Sequence, residues 1–303
     1  MKIKFLIITS YSKKTGYGNF IRSGRFFNYL KKRYSCQFLV KTDHKNLKFL
    51  KDIHKKFEVL NINKINLRKD TIIFLDMPNL SKKEYKILKK GKLICYGNNN
   101  YFDHAQNIIP FNQKMKKNSN INLSITNNDF KQVRYFSLKK LYFFIYLSTS
   151  FDQKTLKEII FIIRKEFSNK ILLFTQNMNI KHFCKTNKVK IINKINHNYL
   201  KDNMIYIGNT GSGSIDRTIK GVLSFTFSKN KNEKKIFNSL KKLDKKLFYF
   251  GEMNNFNIKK FNISLKKLKK LKFPIQINSR IPFTNNNLNL ERKIISLYSK
   301  TLN

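Results

Sequence analysis

The chain has 303 residues, about twice the length of a typical domain, and carries 63 Lys+Arg against 17 Asp+Glu, a formal net charge of +46. Of the basic residues 54 are lysine, whereas nucleic-acid surfaces favour arginine, so the charge indicates the codon bias of an AT-rich genome rather than a surface selected for polyanions. A hydrophobic content of 41% excludes a disordered chain.

Short β-branched or aromatic runs alternate with helical patterns along the whole chain, which is typical of β-α-β units on a parallel sheet. In the first half the patterns predict strands at Lys4–Thr9, Gln37–Val40, Thr71–Leu75 and Lys92–Tyr96, and helices at Phe20–Lys32 and Lys82–Lys89. In the second half they predict strands at Leu141–Leu147, Ile171–Phe174, Val189–Ile192, Met204–Ile207 and Val222–Phe227, and helices at Asp152–Phe167, Ser214–Ile219, Asn230–Leu243 and Leu288–Tyr298. The Lys-rich run Ser264–Lys272 is predicted to be a solvated helix face.

The fold class predicted from this alternation is α/β, with two doubly wound, Rossmann-like domains. The polar, basic stretch 112–140 separates the halves, so we place the domains at 1–135 and 136–303. Such domains bind ligands outside the carboxyl ends of their strands.

Two glycine-containing turns follow predicted strands and lead into helices. After the first strand, Gly16, Tyr17 and Gly18 precede Asn19 and Arg22. Two glycines at such a turn let backbone N–H groups approach an anion at the helix N-terminus, although a flexible glycine turn explains the same pattern equally well.

The second turn is a more specific pattern. It contains Thr210, Gly211, Ser212, Gly213 and Ser214, followed by Asp216 in the first turn of the next helix. Backbone N–H groups there could face a diphosphate, and the two carboxylate oxygens of Asp216 could accept from both hydroxyls of a ribose. The alternative is that Ser214 and Asp216 merely cap the helix. The hydroxyls of Ser148 and Thr149, before the helix that begins at Asp152, are a weaker phosphate signal.

These motifs, taken in order, resemble the pseudaminic-acid-pathway UDP-sugar hydrolases and their spore-coat polysaccharide relatives. Gly16-x-Gly18-Asn19-x-x-Arg22 is similar to the family's G-x-G-H-x-x-R opening, and the segment 210–217 followed by Gly221 is similar to its G-G-S-x-x-x-E-x-x-x-x-G turn and helix. Asp76 stands where the family reads I-D-H-Y, and Asn230 stands where it has D-N-Q or E-N-Q.

The resemblance implies a GT-B-like fold, in which two Rossmann-like domains face a cleft and the C-terminal domain holds UDP. It implies an inverting hydrolysis that releases UDP from a UDP-2,4-diacetamido-2,4,6-trideoxyhexose. By position, residues 210–214, Asp216, Asn230, Ser148 and Thr149 would bind the nucleotide, and Gly16, Tyr17, Gly18 and Arg22 would bind the sugar. Asn19 replaces the family's presumed histidine base, which leaves Asp76 as the nearby ionisable group that could act as the catalytic base.

Three other functions stay open on the sequence: a GT-B-type glycosyltransferase with a UDP-sugar donor, a catalytically silent nucleotide-sugar binder, and, from charge alone, a nucleic-acid binder. Cys36, Cys95 and Cys184 have no disulfide or zinc spacing. No apolar run approaches the ~20 residues of a membrane span, and residues 1–9 read as a strand rather than a signal peptide. We therefore expect a cytoplasmic monomer that binds a UDP-sugar, without a cofactor, a metal, a membrane span or a specific nucleic acid.

Overall fold

The structure is a computed structural model that describes residues 3–12, 18–43, 45, 47–65, 67–68, 70–77, 80–97, 105–108, 123–126, 135–136, 140–146, 152–175, 178–192, 203–211, 213–243, 247–270, 275–276 and 286–299. The chain divides into two compact units, one formed by Met1–Asn128 with Thr284–Asn303 and the other by Asp129–Phe283. Among the described residues, no helix is long and apolar enough to cross a bilayer.

The first unit contains a six-stranded parallel sheet with the strand order β3-β2-β1-β4-β5-β6. Its elements are β1 (Lys4–Ser10), α1 (Gly18–Leu30), β2 (Ser35–Lys41), α2 (Leu47–Ile53), β3 (Glu58–Val59), β4 (Thr71–Asp76), α3 (Lys82–Leu88), β5 (Lys92–Tyr96) and β6 (Gln106–Ile108).

Both faces of this sheet are covered, which is why β1 and β4 are apolar throughout rather than alternating. Phe5 and Ile7 of β1 pack into one cluster with α1, whereas Leu6 and Ile8 point to the opposite face and pack with Leu88 of α3.

The second unit repeats the arrangement with the strand order β10-β9-β8-β11-β12-β13, all parallel. Its elements are β7 (Tyr135–Phe136), β8 (Tyr142–Tyr146), α4 (Gln153–Glu166), β9 (Lys170–Phe174), α5 (Lys181–Thr186), β10 (Val189–Ile192), β11 (Met204–Asn209), α6 (Gly213–Lys220), β12 (Leu223–Ser228), α7 (Lys231–Leu243), β13 (Leu247–Glu252), α8 (Ile258–Lys269) and β14 (Ile275–Gln276), where β7 and β14 form a separate antiparallel pair.

Each large sheet has the order 3-2-1-4-5-6 of its own strands, which is that of Rossmann sheets. The predicted fold class, α/β with two Rossmann-like doubly wound domains, is confirmed. The sequence patterns did not predict the helices α2 and α5, the edge strands β3, β6 and β13, or the separate pair β7 and β14.

The last helix, α9 (Asn286–Ser299), belongs to the first unit, although the predicted boundaries assigned residues 136–303 to the second domain. Leu290, Ile294 and Tyr298 recur at i, i+4 and i+8 and fill the core cluster that contains Phe26 of α1. Helix α9 packs with the first unit because its apolar stripe completes the core of that unit.

Candidate functional site

The strand order fixes where a ligand site is expected in each unit. In an open parallel sheet, ligands bind outside the carboxyl ends of the strands, at the point where the strand order reverses. That point lies between β1 and β4 in the first unit and between β8 and β11 in the second. Asp76 ends β4, and the 210–214 turn follows β11, so both predicted motifs lie at these switch points.

In the first unit, two of the predicted site residues form one ion pair. The Arg22 Nε donates to Asp76 Oδ2 at 2.6 Å, and its Nη2 donates to Oδ1. The Ser23 hydroxyl donates to the same Oδ2 at 2.8 Å, and the Thr9 hydroxyl donates to the Asp76 carbonyl at 2.9 Å. The end of β1, the end of β4 and the first turns of α1 are thereby fixed to one another.

The ion pair changes the chemistry that Asp76 can perform. Its side chain is 1% exposed, whereas that of Arg22 is 21% exposed. Burial alone would lower the pKa of Arg22, but the charge of Asp76 and its hydrogen bonds outweigh burial and raise it. Both oxygens of the Asp76 carboxylate accept hydrogen bonds from the protein, so this geometry favours a positioning role for Asp76.

Gly18 and Asn19 are the first two residues of α1, and both are partly exposed. Asn19 precedes Arg22 by three residues, which places the two side chains on the same helix face. The guanidinium of Arg22 also lies 5.3 Å from the centre of the Tyr96 ring. Asn19 and Arg22 are therefore the predicted residues of the first unit that can reach a ligand from this face.

In the second unit, the turn after β11 depends on Gly208, which was not among the predicted site residues. A Cβ at Gly208 would lie 2.1 Å from the Tyr146 carbonyl oxygen and 2.6 Å from the Tyr206 hydroxyl. Only glycine allows β8 and β11 to approach this closely at the switch point.

The protein itself uses the N–H of Ser214, one of the backbone donors predicted to face a diphosphate, and the N–H of the preceding Thr210. The N–H of Thr210 donates to the Phe227 carbonyl at 2.9 Å, and the N–H of Ser214 donates to the Gly211 carbonyl at 2.9 Å. The Thr210 hydroxyl also donates to Phe227, at 3.1 Å. These bonds fix the shape of the turn. Of the predicted backbone donors that the structure describes, the N–H groups of Gly211 and Gly213 take no part in them.

Arg217 lies beneath this turn and was not predicted. Its side chain is 2% exposed, and the guanidinium carbon lies 3.6 Å from the centre of the Tyr206 ring. Its Nη2 donates to Ser214 Oγ at 2.6 Å and to the Asn209 carbonyl at 3.0 Å. It makes no ion pair with a carboxylate of the described residues, and its Nε has no hydrogen-bond partner there. A buried, uncompensated cation raises the local potential and so favours an anion at the turn.

Asp216 lies in the first turn of α6 and is 3% exposed. The carboxylate therefore offers little surface to a ribose in this conformation, and binding of both hydroxyls would require the surrounding side chains to open. Its role as the ribose acceptor stays a prediction.

Asn230 and Glu233 form a linked cap at the start of α7. Asn230 Oδ1 accepts from the Glu233 N–H at 3.0 Å, and Glu233 Oε2 accepts from the Lys229 N–H at 2.6 Å and from Asn209 Nδ2 at 3.3 Å. The other oxygen, Oε1, would lie 3.9 Å from a Cβ placed on Gly211. A carboxylate thus borders the glycine turn, which favours a ligand that presents hydroxyl groups at this position.

Five predicted residues lie outside the described part of the chain: Gly16, Tyr17, Ser148, Thr149 and Ser212. Among the described residues, no group of three or more His, Cys, Asp and Glu side chains could hold a metal ion.

The sequence matches no family model and no curated protein. Solved structures do match. A UDP-N-acetylglucosamine 2-epimerase from Rickettsia bellii aligns with 99% of this chain and 98% of its own length at 10% identity, with a TM-score of 0.58. A Staphylococcus aureus MnaA–UDP complex aligns over 99% and 97% at 10% identity, with a TM-score of 0.57.

A more distant match is the Escherichia coli heptosyltransferase WaaC with ADP, which aligns with 88% of this chain and 99% of its own length at 8% identity and a TM-score of 0.50. At these identities the likeness establishes the fold, and the chain has the GT-B-like α/β architecture of two Rossmann-like domains.

Proposed function

We propose that the chain binds a UDP-sugar through its second unit and cleaves the bond between UDP and the sugar. The observation that carries the proposal is the turn after β11, where Gly208, the internally bonded 210–214 segment and buried Arg217 meet at the switch point of a Rossmann sheet. Motif resemblance and the epimerase and MnaA–UDP neighbours support uracil as the base.

In this proposal the diphosphate lies on the glycine turn, where the helix N-terminus and Arg217 supply positive potential. Glu233 Oε1 accepts from a hydroxyl of the ribose or the sugar. Asp216 becomes the ribose acceptor once its cover opens, as the motif resemblance implies.

The reaction favoured by the motifs is hydrolysis of a UDP-2,4-diacetamido-2,4,6-trideoxyhexose. Water attacks the anomeric carbon, the bond from that carbon to the diphosphate oxygen breaks, and UDP leaves. Asn19 orients the water, and Arg22, held by Asp76, contacts the sugar. Inversion places the attacking water on the face of the sugar opposite UDP, and both Asp76 oxygens already accept hydrogen bonds from Arg22 and Ser23, so the proton of the water passes to solvent as the new bond forms.

A glycosyltransferase is the second candidate, and one observation favours it. The buried Arg22–Asp76 ion pair removes the base that hydrolysis would need most. A transferase could draw its acceptor, together with the proton-accepting group, from outside the chain. A catalytically silent protein would bind a nucleotide-sugar at the turn after β11 and would catalyse neither reaction.

Thermal-shift titration with UDP, ADP and GDP tests the binding proposal. A ligand that binds the native state at about 100 times its Kd stabilises it by about 2.7 kcal/mol, which corresponds to a rise in Tm of roughly 5–10 °C for a unit of this size. We expect UDP to give this shift and ADP and GDP to give little. Asp216→Ala should weaken UDP binding about tenfold, as expected for the loss of about one hydrogen bond to a charged group.

Glu252→Gln is the matched control, since Glu252 is an exposed carboxylate of the same unit. Equal shifts with UDP and ADP, or no shift with any nucleotide, would contradict a UDP site. Release of UDP from UDP-N-acetylhexosamines without an acceptor would favour hydrolysis, and release only with an acceptor would favour transfer.

A further inference from the structure

Two apolar side chains stand out on the surface of the second unit. Phe161 of α4 is 64% exposed and Ile263 of α8 is 54% exposed, the highest values among the large apolar side chains of the described residues. Each lies opposite the buried stripe of its helix, which is Leu156, Ile159, Ile160 and Ile163 in α4 and Phe261, Leu265 and Leu268 in α8. They therefore point away from the sheet.

The two helices place these side chains at the same level. Both helices follow strands of one parallel sheet and pack against each other, so they run in the same direction. Lys269 Nζ lies 3.5 Å from Glu166 Oε2, which joins their C-terminal ends. At 1.5 Å per residue, Phe161 lies about 8 Å and Ile263 about 9 Å before this joint. The two apolar side chains therefore lie at a similar height along the helix pair.

Lysines surround them on the same outward surfaces. They include Lys154, Lys157 and Lys165 on α4, Lys259, Lys266 and Lys267 on α8, and Lys270 directly after α8. We call these lysines, with Phe161 and Ile263, the basic–apolar face. Of the acidic residues of these helices, Glu166 is paired with Lys269, and Glu158 is partly buried.

Arginine is absent from this face of the two described helices. Arg164 of α4 turns inward, where its guanidinium donates to the carbonyls of Asn187, Asn169 and Lys188 at 2.5–2.8 Å. Nucleic-acid surfaces rely on arginine forks and hydrogen bonding to bases. Lysines around protruding apolar groups instead match a bilayer interface, where ammonium groups meet anionic headgroups while apolar tips enter the acyl boundary.

We propose that the basic–apolar face docks the second unit onto an anionic phospholipid surface. The contact is peripheral: the seven lysines attract the leaflet, and Phe161 and Ile263 insert at the headgroup level. This proposal does not depend on the function of the glycine turn.

Co-sedimentation of the full-length protein with vesicles tests the proposal. We expect binding to phosphatidylcholine vesicles that contain phosphatidylserine, weak binding to phosphatidylcholine alone, and loss of binding as salt is raised. Replacing Phe161 and Ile263 by serine should weaken binding about tenfold. Replacing Lys259, Lys266, Lys267 and Lys270 by glutamine should weaken it roughly fivefold for each lysine near the surface.

The matched control removes four charges elsewhere, with Lys82, Lys83, Lys86 and Lys89 of the first unit changed to glutamine; all four are exposed on or beside α3. This variant should bind nearly as the parent does. Equal losses in both lysine variants, with no loss in the serine variant, would mean diffuse charge adsorption and would overturn the proposal. So would absence of binding, or RNA binding that depends on the α8 lysines while vesicle binding does not. Thermal melting of each variant checks that its fold is intact.

Discussion

Asp76 and Arg22 show how a single contact can redefine two candidate residues. The sequence suggested that Asp76 is a base and that Arg22 contacts the sugar, whereas the structure joins the two residues in a buried, bidentate ion pair. Removing one partner of such a pair leaves an uncompensated charge, which costs more than the pair itself contributes.

We therefore expect Asp76→Ala to lower the free energy of unfolding by about 3 kcal/mol, measured by urea denaturation. Arg22 would lose its partner, and Ser23 would lose its acceptor. The control is Asp43→Ala, because Asp43 is an exposed aspartate of the same unit and should change stability by less than about 0.5 kcal/mol. A loss at Asp76 no larger than at Asp43 would show that the pair does not hold β4 to α1.

Only part of the candidate site could be predicted from the sequence, because some of its contacts join different elements of the chain. The glycine turn after β11 was predictable, because glycine, hydroxyl and carboxylate residues follow a buried strand directly. Glu233 was not, because its place beside Gly211 depends on where α7 begins relative to β11. Arg217 looked like an ordinary helix residue until the structure placed it on the Tyr206 ring.

Helix α9 is held within the first unit by one buried carboxylate, that of Glu291. Glu291 is 3% exposed and accepts from the Tyr29 hydroxyl at 2.6 Å, the Tyr34 hydroxyl at 2.7 Å and Arg33 at 2.9 Å. Asn287 adds a pair of hydrogen bonds with the backbone of Thr126. Burial, followed by the hydrogen bond to Glu291, raises the pKa of Tyr29 to about 12 and that of Tyr34 to about 12.

This cluster predicts a loss of stability at alkaline pH. The folded-state pKa of each tyrosine lies above the unfolded value of about 10, so the stabilisation is fully present below about pH 10 and disappears as the pH rises toward 12. Urea midpoints should therefore fall across this range. Because the many lysines also titrate there, the comparison is with Tyr29→Phe/Tyr34→Phe, which should lose less stability over the same range. Parallel curves for the two proteins would contradict the prediction.

The sequence patterns predicted the buried strands best. β1, β4, β5 and β8 are short, apolar and bounded by polar residues, so their patterns are unambiguous. Helix α9 was predicted as a helix, but its amphipathic stripe does not say which core it completes. Short α2 and edge strand β13 lack a clear period and were missed.

The core of the second unit comes from one continuous stretch of chain, whereas the core of the first unit does not. Among the described residues, the buried cluster of the second unit consists of residues between Leu141 and Leu268, whereas a main cluster of the first unit includes Leu290, Ile294 and Tyr298. The units should therefore behave differently when separated.

We expect a fragment of residues 129–283 to unfold cooperatively in urea, and a fragment of residues 1–128 to lack a cooperative transition, because its α1 surface would be left uncovered. Joining residues 284–303 to 1–128 through a glycine–serine linker should restore the transition. Cooperative unfolding of 1–128 without this addition would show that α9 is dispensable.

The return of α9 to the first unit also has a consequence during synthesis. The ribosome must translate the whole second unit before the helix that closes the first one emerges, a delay on the order of 10 s at ordinary elongation rates. The half of the protein that is made first is therefore the half that finishes folding last. Until then the nascent chain carries an open apolar groove along α1, which is the kind of surface that chaperones bind.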